Sequence, residues 1–185
     1  MFNLVKIGAA ANEAVTVAEL KTHCRISHTA DDTYLGTLRI AAREQVEKDL
    51  GMVIASQAYR LHTEANFTSV VCLPVQPVQS ISSVTYTDVN HVSQTLSTSN
   101  YSLKAHRDPP EVEFDGSLPV GTDVVINFLA GFAPDTVPAL TKQAVLFLAA
   151  SWYESREPEV VGTIVTKLPL GYERIISRLR ISRYR

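Results

Sequence analysis

Only two cysteines, Cys24 and Cys72, occur in 185 residues. They are too few and too widely separated for a disulfide scaffold or a zinc site, which points to a reducing compartment. None of the eight glycines stands in G-x-x-x-x-G-K or G-x-G-x-x-G order, so the sequence holds no phosphate-cradling loop. No serine sits in a G-x-S-x-G elbow, and the five histidines (His23, His28, His62, His91, His106) fall in separate segments without metal-ligand spacing. The run from Ala144 to Tyr153, ten residues without a charge, a Gly or a Pro, is half the length needed to span a bilayer, for which about 20 residues are required. The amino-terminal MFNLVKIGAAANEAV lacks the secretory pattern, so the protein is expected to stay where it is made. Internal repeats and low-complexity tracts are absent, and 45% hydrophobic against 19% charged residues is a globular composition.

The run itself belongs to PALTKQAVLFLAASWYESRE, which reads as a helix opened by Pro138 and closed before Pro158. Val145, Leu146, Phe147, Leu148 and Trp152 fall on all sides of it, so the sequence predicts a helix buried nearly all round, in one domain or against other copies. Thr16 and Glu19 have capping-box spacing and start a short helix over TVAELKTHCRI. A longer helix starts at Asp31 and Asp32, whose carboxylates favour a helix amino end, and stops at Gly51. Its stripe is Leu35, Leu38, Ala42, Val46 and Leu50, with Arg39, Arg43, Glu47 and Lys48 mostly off it. After Gly51 the period turns to alternation, with five or six short strands separated by turn residues, consistent with an antiparallel sheet or small sandwich. The final YERIISRLRISRYR puts Ile175, Ile176 and Leu179 on one helical face among Arg174, Arg178, Arg180, Arg183 and Arg185. The fold class is therefore α+β: amphipathic helices near both ends of the chain form a core into which an antiparallel β domain is inserted. The expected divisions are an N-terminal arm over 1–15, a helical core with a C-terminal docking tail over 16–51 and 136–185, and the β domain over 52–135.

Charge is segregated along the chain. Residues 51–135 carry three basic and eight acidic groups, whereas 136–185 carry eight basic and four acidic, a pattern suited to steering assembly. The candidate catalytic cluster is His106, Asp108, Glu111, Glu113 and Asp115, because alternation places Glu111 and Glu113 on one strand face, where two carboxylates can share a metal or a proton. The competing and favoured reading is a solvated face opposite Val112 and Phe114. His28 with Asp31 and Asp32 could form a ligand trio, but helix capping accounts for the aspartates more simply. The arginine-rich end fits a nucleic-acid backbone, a solvated face, or a docking segment; the interleaved Ile175, Ile176, Leu179 and Ile181 favour docking or packing.

Six segments in order carry a resemblance: VTVAELKTHCRI with DDTYLGTLRIAAREQVEKDLG, LPVQPVQSISSVTYTDVN, NYSLKA, VVINFLAGFA, VPALTKQAVLFLAASWYESRE and LPLGYERIISRLR. Together they resemble the head-to-tail connector, or adaptor, proteins of long-tailed bacteriophages and gene transfer agents. The resemblance implies a structural virion protein without catalysis, cofactor or metal, made in the host cytoplasm and placed in the neck between portal and tail. It implies a homo-oligomeric ring of twelve subunits under the portal protein, extending a channel through which genomic DNA passes without sequence-specific binding. A downstream neck or tail-completion protein docks beneath, and no membrane is involved. Leu168, Pro169, Leu170, Gly171, Arg174, Arg178, Arg180, Arg183, Tyr184 and Arg185 become the portal-docking candidates, and Leu35, Leu38, Val46, Val145, Leu148 and Trp152 the subunit-packing candidates. The channel-lining residues are not identifiable. The alternatives are a nucleic-acid-binding protein using the arginine-rich end and a small metal-dependent hydrolase using the loop near His106.

Overall fold

A computed structural model describes residues 2–63, 69–115, 120–155 and 170–183. The chain folds as two compact units, one of residues 1–11 and 55–132 and the other of 12–54 and 133–185. Among the described residues, four helices and eight strands in antiparallel sheets make it an α+β protein.

The helical unit contains α1 (Val17–Cys24), α2 (Asp32–Leu50), α3 (Ala139–Glu154) and α4 (Leu170–Arg183). α1 begins with the capping box: the Thr16 hydroxyl accepts from the Glu19 amide, and the Glu19 carboxylate accepts from the Thr16 amide at 2.6 Å. That amide bond outweighs the opposing effect of burial and, with the Thr16 hydroxyl and the Lys142 charge adding to it, holds the Glu19 carboxyl below its ordinary range. The cap is therefore in place at neutral pH and lost as pH falls through the lowered value. α2 ends at Gly51, whose φ of 63° lets its amide turn back onto the Glu47 and Lys48 carbonyls. Leu35, Leu38, Ala42, Val46 and Leu50 are all buried, as their three- and four-residue spacing predicts.

Asp31 and Asp32 do something other than capping. The Asp31 side chain makes no cap bond and instead accepts from the Tyr153 hydroxyl on α3 at 2.6 Å, while Asp32 pairs with Lys21 of α1 at 2.7 Å. Each carboxylate ties the start of α2 to a neighbouring helix. α3 packs against α1, α2 and α4. Its fully buried positions are Thr141, Ala144, Val145, Leu148 and Ala149, and the flanking residues, Trp152 included, are only partly covered. Burial is thus confined to one stripe with half-covered flanks rather than extending all round.

The second unit holds a five-stranded sheet in the order β1 (Phe2–Ile7), β2 (Gln57–Thr63), β8 (Gly121–Ala130), β4 (Val78–Asp88), β5 (Ser93–Thr95), antiparallel throughout. A three-stranded antiparallel sheet joins β3 (Val70–Cys72), β7 (Glu111–Phe114) and β6 (Tyr101–Lys104). Residues 1–15, expected to form an arm, instead contribute β1 as an edge strand, with Phe2 opposite Thr63 and Ile7 opposite Ala58. One face of the large sheet is buried through Tyr59, Leu61, Val84, Ile126 and Phe128, with Tyr59 stacked on Phe128 at 5.8 Å between ring centroids. Val71, Leu73, Val112 and Phe114 give the small sheet its buried face.

Gly131 marks the exit from β8 at φ 102°, a conformation side chains resist, and a Cβ there would lie 2.3 Å from the Ala55 carbonyl oxygen. Gly131→Ala is expected to destabilise the sheet unit by about 3 kcal/mol or more, because backbone must move as well as twist. A chemical denaturation midpoint unchanged from the parent would refute this.

Candidate functional site

No described group of three His, Cys, Asp or Glu residues could hold a metal ion, and no described helix is long and apolar enough to cross a membrane. The acidic loop shows why such a cluster fails to form. β7 does place Glu111 and Glu113 on one face and Val112 and Phe114 on the other. Arg107 Nη1 bridges both carboxylates, bonding to Glu111 and lying 2.7 Å from Glu113, and Lys104 lies 3.3 Å from Glu113. These two cations neutralise the pair. The Arg107 guanidinium is in turn held above its ordinary value, first by the Glu111 hydrogen bond and then by Glu113. An ion-pair ladder thus occupies the strand face on which the two carboxylates could otherwise share a proton or a metal. His28 is exposed, and its neighbours Asp31 and Asp32 are engaged with Tyr153 and Lys21.

The arginine-rich end forms α4, and its attachment is the most specific feature of the helical unit. Tyr172 and Ile176, one turn apart, are the buried residues among its described side chains, with Ile175 and Leu179 half-covered beside them. The Tyr172 hydroxyl donates to the Asp49 carboxylate near the end of α2, and Arg180 Nε donates to the Asp49 backbone carbonyl at 2.7 Å. Burial, with Asp49 adding to it, pushes the Tyr172 phenol well above its ordinary range. The hydroxyl therefore stays a donor. A Cβ added at Gly171 would lie at ordinary van der Waals distance from the Phe147 ring of α3, so the helix passes close to that ring without crowding it. Arg174 and Arg178, one turn apart, remain exposed on the outward side with Glu173 and Ser177.

Of the sequence-derived docking candidates, Gly171, Arg174, Arg178 and Arg180 are thus brought onto one short helix that also includes Leu170 and Arg183. Leu168, Pro169, Tyr184 and Arg185 lie outside the described residues. Tyr172, absent from that set, supplies the principal buried anchor; its position one turn before Ile176 was the available signal. The packing candidates Leu35, Leu38, Val46, Val145 and Leu148 are buried inside their own helical unit, so they pack the subunit rather than join one subunit to another, and Trp152 is half-covered.

Arg43 was grouped with the polar side of α2, yet it is only 3% exposed. Its Nε and Nη1 donate to Glu13 and Glu47 at 2.8 and 2.7 Å, and Nη2 reaches Glu44 at 3.4 Å. Glu47 also accepts from the Ile54 amide at 2.8 Å, and Arg39 Nη1 donates to the Val15 carbonyl at 2.8 Å. Burial alone would lower the Arg43 pKa, but the Glu13 bond and the Glu47, Glu13 and Glu44 charges outweigh it and raise the value. The network fastens the segment before α1 and the segment after α2 to the same guanidinium.

The sequence matches the profile described as "Phage gp6-like head-tail connector protein" over residues 14–113 and 118–180. Similar solved chains come from the neck of an empty gene transfer agent (GTA) particle with C6 symmetry and from the virion of a native GTA particle. Each is 27% identical with a TM-score of 0.75 over 96% of this chain, covering 95% and 94% of the solved chain. A chain from the neck of the native particle with C12 symmetry is 26% identical, with a TM-score of 0.76 over 96% of this chain and 94% of that one. No curated protein matches.

Proposed function

The chain belongs to the phage gp6-like head-tail connector family, and on that premise we propose that twelve copies close into a ring in the virion neck, beneath the portal protein. It is a structural connector. In the proposed role the ring lengthens the passage through which genomic DNA moves without sequence-specific recognition, presents α4 to the portal and receives the next neck or tail-completion protein on its other side. The similarity to chains of GTA necks, over almost the full length of both partners, carries this reading.

The details of α4 support it. A helix held by Tyr172, Ile176 and Arg180 on one side keeps Arg174 and Arg178 outward, where a bidentate guanidinium suits acidic groups on a protein partner. The neutralised Glu111–Glu113 pair supports a role without catalysis. Particles assembled without this gene are expected to accumulate as heads lacking tails. Tailed, infectious particles from such a deletion would overturn the reading.

A further inference from the structure

The five-stranded sheet ends in two dissimilar edges, β1 on one side and the β4–β5 hairpin on the other. Four strand spacings of about 4.8 Å separate them by roughly 19 Å. At the strand end where the β4–β5 turn meets the start of central β8, Val89, Val92 and Val120 are 71%, 51% and 78% exposed, brought together by the pairing of Asp88 with Gly121. The turn is built to hold its shape. The Asp88 carboxylate accepts from the Asn90 and Val92 amides at 2.8 and 3.0 Å and from Gln94 at 3.0 Å. His91 adopts a left-handed φ of 61° between the two valines. This end is acidic, with Asp88 and the exposed Asp123 beside the valines.

The opposite edge is its complement. Register places Val5, Arg60, Asn127 and Ser83 in one row across four strands and Ile7, Ala58 and Leu129 in the next. This is the face turned away from the buried core. Val5 and Ile7 are 44% and 37% exposed. Arg60 is exposed and held by its Nε donating to Asn127 at 3.0 Å, and Asn127 donates to Ser83 at 3.0 Å. The strand end at the β4–β5 turn is thus apolar and acidic and the β1 edge apolar and basic, two dissimilar patches on one sheet.

We infer that the valine-tipped hairpin of one copy docks on the β1 edge of the next, covering Val5 and Ile7 and setting Asp88 and Asp123 towards Arg60. The inference rests on the ring reading, and the occupant is a second copy of this chain. A closed ring needs two different complementary patches on each subunit rather than one self-complementary patch. Exposed sheet edges are otherwise open to unspecific pairing, which such a contact removes. The patch is too small to hold a ring alone, since stable interfaces bury on the order of 1,600 Å², so the helical unit adds contacts of its own.

In a Cys24→Ser, Cys72→Ser background, which leaves no native thiol, the full-length chain carrying Ile7→Cys and Val89→Cys, oxidised at high protein concentration, is expected to give a ladder of disulfide-linked multimers. Each single variant is expected to stay unlinked. Dimers from a single variant would mean a like-to-like contact and overturn the inference. An absent ladder in the presence of portal overturns it too, and mass measurement of the chain with portal separates the cases: rings without a ladder leave the ring reading standing, and monomers that never join the portal remove both. Independently, Val89→Asp with Val92→Asp, at exposed positions that spare folding, should weaken self-association at least tenfold; unchanged association overturns the inference.

Discussion

Arg43→Ala is expected to lower the thermal midpoint of the helical unit by on the order of 10 °C. The reason is the state it leaves behind. Glu13 and Glu47, 13% and 15% exposed, would keep carboxylates facing one another with the bridging cation gone. Removing one partner of a buried ion network costs about 3–5 kcal/mol, because the remaining charge is neither paired nor hydrated. In a chain of this size each kcal/mol moves the midpoint by roughly 2–4 °C. Arg43→Lys is expected to recover only part of the loss, since a single ammonium cannot reproduce the fork that reaches Glu13 through Nε and Glu47 through Nη1. Helix-specific circular dichroism during melting measures both variants. A shift below about 2 °C for Arg43→Ala would show that the network is solvated in practice and that the segment before α1 is held by other means.

The same residue shows where the sequence was readable and where it was not. α1, α2 and α3 are local structures, and their signals are local: the Thr16–Glu19 spacing, the stripe from Leu35 to Leu50, the uncharged run after Ala144. Arg43 lies one turn before Glu47, a spacing visible in the sequence, but its burial depends on Glu13, thirty residues upstream. Asp31 and Asp32 have the composition of a helix start, and that composition hid their partners on α3 and α1. β1 was missed for a related reason. A six-residue edge strand whose partner begins fifty residues later carries little periodicity of its own, and the same stretch reads equally well as an arm. The Glu111–Glu113 alternation was legible, but not the Arg107 and Lys104 side chains that fold over it.

For α4 the informative substitution is Tyr172→Ala. Its ring is 2% exposed and its hydroxyl bonds to Asp49. Deleting a buried aromatic costs about 3–5 kcal/mol where the cavity cannot close. α4 is short, and short helices owe their stability to packing rather than to propensity. The cost should therefore appear as local release of α4 with α1, α2 and α3 still folded. Amide exchange across 171–183 should rise towards the unprotected rate while protection in α2 and α3 persists. Tyr172→Phe keeps the ring and loses only the bond to Asp49, so α4 stays docked and loosens by about 1.5–3 kcal/mol, the cost of one hydrogen bond to a charged group. The pair separates two ways in which α4 could serve the proposed portal contact. If the partner recognises the docked helix, with Arg174 and Arg178 presented from a fixed base, Tyr172→Ala abolishes attachment to portal-bearing heads and Tyr172→Phe only weakens it. Attachment that survives Tyr172→Ala while exchange shows α4 released would mean that the partner takes the segment as a free peptide, and the docked geometry would have no part in recognition.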